Sequence, residues 1–242
     1  NMAAVNAADG PILNNGLDNT ATGQNVIVIG HKSVVGGENS TSIGTNTTAD
    51  GINALALGTD AKAKVTNPAA ANSNKPANLI AIGTNAKSEA AETVAIGESA
   101  KASKHNANAF GSKAKAEGES SLALGSGSYA KEDSSVAIGN DSNATAKSSV
   151  ALGESTNATA IFATAVGDSA TASGVRSFAA GLNSNAQSDD SIAIGANTNS
   201  TVRGISIGAE ASAYHQGISV GYKSNASGTV SYTHLTLPTK LE

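Results

Sequence analysis

Glycine returns every fourteen residues along this chain, and that period constrains the fold more than any other feature. Gly30, Gly44 and Gly58 are 14 apart; after one longer gap Gly83, Gly97, Gly111, Gly125, Gly139, Gly153, Gly167, Gly181 and Gly195 resume the count, and Gly208 and Gly221 follow at 13. A fixed period in sequence is a fixed unit in space, stacked on copies of itself. The repeat carries no reactive group, so it points away from an enzyme.

The residues around the glycine define the unit. The position before it is mostly branched, as in Ile96, Leu124, Ile138, Leu152 and Ile194, and so is the position three before it, as in Val94, Leu122, Val136 and Ile192. Between them stands Ala or Ser in every copy except Val28. Large-small-large is a period of two, the mark of a short strand with two different faces. Three and five residues after the glycine come small residues around a polar one: Ala100-Lys101-Ala102, Ala114-Lys115-Ala116, Ala170-Thr171-Ala172. This is a second strand, and Gly, Asn, Asp and Ser supply the turns. One repeat is strand, turn, strand, turn: a flat coil that stacks as parallel strands about 4.8 Å apart. The glycine serves either a turn with positive φ or a place where a β-carbon would strike the next coil; spacing does not choose between them.

Two-facedness leaves the question of which face is inside. The reading taken here points Ile, Val and Leu into the coil against Ala of the second strand. Ile138, Leu152 and Ile194 are then buried, and Lys101, Lys115 and Asn157 exposed. The small residues between the large ones form a flat outer strip, comprising Ala56, Ala95, Ala123, Ala137, Ala151, Ala193 and Ser219, where another backbone can approach. A coil this small buries little alone and needs association, so the strip is the expected contact between copies.

The motifs SSVAIG (134–139), SSVALG (148–153), DSIAIG (190–195) and TVAIG (93–97), with following elements such as Ser99 to Ala102 and Ser169 to Ala172, resemble the head repeat of YadA-like trimeric autotransporter adhesins. The resemblance spans about residues 25 to 227 in a dozen in-register copies. It implies an all-β, left-handed parallel β-roll with coils of 13–14 residues, assembled as a parallel homotrimer. It further implies display on the outer-membrane surface of a Gram-negative bacterium and attachment to host matrix proteins, host cells or other bacteria. In family terms the neck, stalk and anchor lie outside this stretch, which reads as an excised head.

Composition agrees. The chain has no Cys, no Trp, one Met and 3% aromatic residues, far from the make-up of an ordinary globular core of this length. A net charge of −4 gives no support to nucleic-acid or membrane-surface binding. No apolar run reaches 18 residues, so no membrane insertion by a helix is expected.

Three stretches depart from the period. Residues 1–24 are Asn/Ala-rich, with a degenerate coil hinted around Ile12 to Gly16, and are expected to cap the roll of 25–228. The gap between Gly58 and Gly83 holds an insert near 65–76, expected to leave the roll as a surface loop; its Asn67, Asn72, Asn74 and Lys75 form a candidate binding loop. Residues 229–242 abandon the pattern and read as a tail of cloning origin.

Site chemistry is sparse. His31, His105, His215 and His234 share no metal-ligand spacing, no serine sits in a nucleophile elbow, and no catalytic, metal or cofactor site is expected. One constellation stands out: Lys62, Lys87, Lys101 and Lys115 each lie four residues after a repeat glycine and stack on one outer face. They form a candidate basic stripe for a polyanionic surface, with Glu89 and Glu117 placed to offset it; the alternative is a solvated face that keeps the protein soluble. Three function classes remain: an adhesive head, a spacer that projects a binding site located elsewhere, and an ice- or polysaccharide-binding solenoid.

Overall fold

Parallel coils follow from the repeat. The computed structural model describes residues 12–66 and 77–228. The chain divides into two units, residues 1–148 and 149–242, and each is built of the same coil. A three-residue strand such as Val94–Ile96 leads into the repeat glycine, a turn follows, and a two-residue strand such as Lys101–Ala102 completes the coil. All pairing is parallel and in register from coil to coil: Val94 opposite Asn108, Ala95 opposite Ala109 and Ile96 opposite Phe110 in one sheet, Lys101 opposite Lys115 in the other. In the second unit Ile192 pairs with Ile205 and Asn185 with Asn199 in the same way. Each unit is thus an all-β parallel solenoid of two facing sheets. Residues 12–21 form a coil too, Ile12–Leu17 pairing with Val26–His31 and Thr20–Ala21 with Val34–Val35.

The glycine meets both physical demands at once. Gly97 and Gly111 have φ of 134° and 131°. A β-carbon on Gly97 would lie 2.3 Å from the carbonyl oxygen of Gly111, and one on Gly111 would lie 2.5 Å from that of Gly125. No side chain fits either the backbone conformation or the space.

The interior corrects the assignment of faces. Ala137 and Ala151 are 0% exposed, whereas Ile138 and Leu152 are half-exposed and Ile194 is exposed. The lining consists of small pairs two residues apart that recur every seven residues: Ser128 and Ala130, Ser135 and Ala137, Ser142 and Ala144, each fully buried. Both strands therefore turn their small residues inward. The two sheets sit too close for an Ile row, and the large residues of the first strand go outside. Serine suits this core because its hydroxyl donates to a carbonyl three residues back, as from Ser128 to Gly125 at 2.9 Å and from Ser142 to Gly139 at 3.0 Å, leaving no polar atom unpaired at those sites. Lys115 is exposed, while Lys101 and Asn157 are half-buried. Larger interior residues, Val26, Val28, Val35 and Leu79, occur in the first unit. Leu79 fits because Gly51 beside it has no side chain; a β-carbon there would lie 2.8 Å from Leu79 Cδ1.

The insert does not interrupt stacking. Leu55–Leu57 pairs directly with Ile80–Ile82, and Lys62–Lys64 with Lys87–Ser88. The Thr66 N–H donates to the Glu89 carbonyl and the Ala77 N–H to the Ile52 carbonyl, both at 3.0 Å, so the chain is anchored on either side of 67–76.

Candidate functional site: an apolar face, a polar face and two rows of turns

The outer side of the first sheet is apolar. In the first unit one row carries Ile80, Val94, Leu122 and Val136, and beside it run Ile82, Ile96, Phe110, Leu124 and Ile138. In the second unit the rows carry Val150, Phe178, Ile192, Ile205 and Ile218, and Leu152, Val166, Ile194, Ile207 and Val220. Bulk is balanced within a strand: Phe110 shares its strand with Asn108, and Phe178 with Ala180. Contiguous apolar surface of this kind marks an interaction site. Ala56, Ala95, Ala123, Ala137, Ala151 and Ala193 are 0% exposed and Ser219 is 3% exposed. They line the inside of the coil and cannot be the outer contact strip that the alternation suggested; the flanking large residues are the ones that point outward.

The outer side of the second sheet is polar. Lys62, Lys87, Lys101 and Lys115 do stack in register, and carboxylates beside Lys101 offset part of the stripe. Lys101 Nζ lies 3.5 Å from Glu89 Oε2 and 3.8 Å from Glu117 Oε1. Lys115 Nζ sits 5.8 Å from the centre of the Tyr129 ring, whose hydroxyl donates to Glu117 at 2.9 Å. Burial first, and then that hydrogen bond, push the Tyr129 hydroxyl up to about 12. Lys64 pairs with Asp50 at 2.8 Å. These contacts offset part of the positive charge that a polyanion would read. In the second unit the same row is uncharged: Asn157, Thr171, Asn185, Asn199, Ser212 and Asn225.

The candidate loop residues Asn67, Asn72, Asn74 and Lys75 lie outside the described residues. Near the anchor of that insert is a cleft of about 230 Å³ lined by Val65, Glu89, Ala90, Ala91, Ser103, Lys104, His105 and Glu119. His105 Nε2 lies 3.5 Å from Glu92 Oε2 at its border, and Lys104 forms an ion pair with Asp133 at 3.2 Å. The Glu119 N–H, and then Lys104, hold the Asp133 carboxyl below the usual carboxylate range. Among the described residues no group of three or more His, Cys, Asp or Glu is placed to hold a metal ion, and no helix is long and apolar enough to cross a membrane.

Turns join the sheets along two rows, and each turn has a residue in the left-handed region. These recur every seven residues: Ser99, Asn106, Lys113, Ser120. Several pair along the stack, as Asn25 with Asn39 at 3.1 Å and Arg176 with Asp190 through two bonds of 2.7 and 3.0 Å. The Asn, Asp and Ser expected at the turns fill many of these slots, and Lys, Glu and Arg fill others; among the described residues the slots that depart from glycine or a polar residue are Phe162 and Val202.

The chain matches a family model described as the YadA head domain repeat, in overlapping copies from residue 21 to 67 and from 80 to 198, together well over half its length. Among curated proteins no relative matches it.

Proposed function

We propose that this chain, which belongs to the YadA head family, is the adhesive head of a bacterial surface protein and works as a parallel homotrimer closed through its outward Ile, Val and Leu rows. Those rows are the observation that carries the reading. An interior of Ala, Ser and Thr gains little from burial, because the hydrophobic contribution scales with apolar area at roughly 25 cal/mol per Å². Most of the large apolar side chains instead stand on an outer face that a second copy can cover. Three copies around a common axis bury three such faces and leave three polar faces and their turns to the outside.

Attachment to host matrix proteins, host cells or other bacteria then falls to those polar faces and turns, from the outer membrane of a Gram-negative cell as part of a longer anchored chain. Multiple copies of one surface around the axis raise avidity without raising single-site affinity. The carboxylates beside Lys101 weaken the Lys62 to Lys115 stripe as a docking site for polyanions. Binding of the purified head to immobilised matrix proteins and to cells, compared with a spacer-only control of the same length, tests the reading. Retention on at least one such surface, lost on heat unfolding, is the expected outcome. A folded head that binds none of them would favour the spacer reading.

A further inference from the structure

Phe162 occupies a backbone position that disfavours it and a surface position that exposes it. It lies in the turn after Asn157–Ala158, with φ of 59° and 57% of its surface exposed; its neighbour Ile161 is 45% exposed. Among the described residues with positive φ, only Phe162 and Val202 are apolar apart from glycine. A bulky residue in the left-handed region is a true outlier, and such strain concentrates at functional sites. Neither the core nor the backbone accounts for this ring.

Its surroundings supply the other half of a site. The Arg176 N–H donates to the Ile161 carbonyl at 3.0 Å, which sets the turns of successive coils one above the other. The next two left-handed positions on the same row of turns, at fourteen-residue intervals, hold Arg176 and Asp190, locked together through Arg176 Nε and Nη2. Arg176 holds the Asp190 carboxyl below the usual carboxylate range, and Arg203 adds to this. Asp189 accepts the Val175 N–H at 2.8 Å. Two arginines and two aspartates leave the patch without net charge. A flat apolar ring beside a fixed, electrically balanced array of donors and acceptors matches a neutral saccharide: the C–H face of a pyranose covers the ring and its hydroxyls bond to the charged pair. A charged polymer gains nothing from a balanced patch, and an open cleft lined by Gln187, Ser188, Asp189, Val202 and Arg203 adjoins it.

We propose that the turn bearing Ile161 and Phe162, with the Arg176–Asp190 pair, is a binding site for neutral saccharides. The proposal deepens the reading of the chain as an adhesive head by naming a ligand class for it. Saturation-transfer NMR and calorimetry on the purified head, with lactose, N-acetyllactosamine and maltohexaose as probes, test it, and light scattering on the same samples reports the oligomer separately. The expected result is millimolar or tighter binding of at least one probe, with transfer strongest at ring C–H protons. Phe162→Ser, which restores a residue type common at this slot, should weaken binding at least tenfold while the thermal midpoint holds or rises. Phe162→Trp should retain it, and Arg176→Ala should weaken it. No binding of any probe, equal binding by Phe162→Ser, or a lower midpoint in that variant would overturn the proposal. An intact trimer with no saccharide binding fails this site alone; a monomer that binds saccharide fails only the assembly reading.

Discussion

The Tyr129 hydroxyl donates to Glu117 Oε2 at 2.9 Å, joining the outer faces of two stacked coils. With that hydroxyl pushed up to about 12 by burial and by this bond, the folded state holds its proton more tightly than an unfolded chain, where a phenol ionises near 10. Stability from this source is complete below pH 10 and is lost as pH rises towards 12. Denaturant melts between pH 9 and 12 should show that loss in the wild type, and Tyr129→Phe should flatten it. Parallel curves for the two proteins would contradict the assignment.

The repeat glycine should be the least tolerant position. Gly111→Ala places a β-carbon 2.5 Å from the Gly125 carbonyl oxygen at a φ of 131°. Left-handed strain alone costs about 1–3 kcal/mol, and the clash adds to it. Circular dichroism of the variant should show a large drop in thermal midpoint or failure to fold.

Inward and outward positions should respond in opposite ways. Ala137 is fully buried between sheets, so Ala137→Leu overpacks the coil and should cost roughly 1–3 kcal/mol, read from urea melts. Ile138, half-exposed on the outer face, should lose less in coil stability on Ile138→Ala and show its effect in assembly. Similar losses of fold stability at the two positions would argue against this partition.

The period, the two strands, the parallel stacking and the insert between coils were all legible in the sequence, because a β-branched, glycine-punctuated repeat admits few folds. The direction of the faces was not. Alternation says only that Ile138 and Ala137 point oppositely, and hydrophobicity favours the larger residue inside. The deciding signal was the seven-residue recurrence of small pairs, Ser135 and Ala137 followed by Ser142 and Ala144, which places both strands' small residues on one lining. The lysine stack was legible, but its pairing with Glu89 and Glu117 depends on side-chain reach across coils. Phe162 was hidden because its oddity is a backbone angle, visible only once the left-handed slots are known.

Deleting residues 67–76 should leave the roll intact. The sheets on either side pair directly, Leu55–Leu57 with Ile80–Ile82, and shortening the connection between them changes closure entropy only slightly. An unchanged melting profile is expected; collapse of the fold would mean that the segment is needed for stacking.

The central claim is that the Ile, Val and Leu rows face outward and are covered by other copies of the chain. Sedimentation equilibrium at micromolar concentration measures this most directly, on the wild type and on the double variant Ile138→Lys, Leu152→Lys. Unpaired charge in a covered apolar contact is strongly unfavourable, whereas on a free outer face it is tolerated. The account predicts a trimer for the wild type and a folded, dissociated chain for the variant. A wild-type monomer, or a variant that remains a trimer, would contradict it.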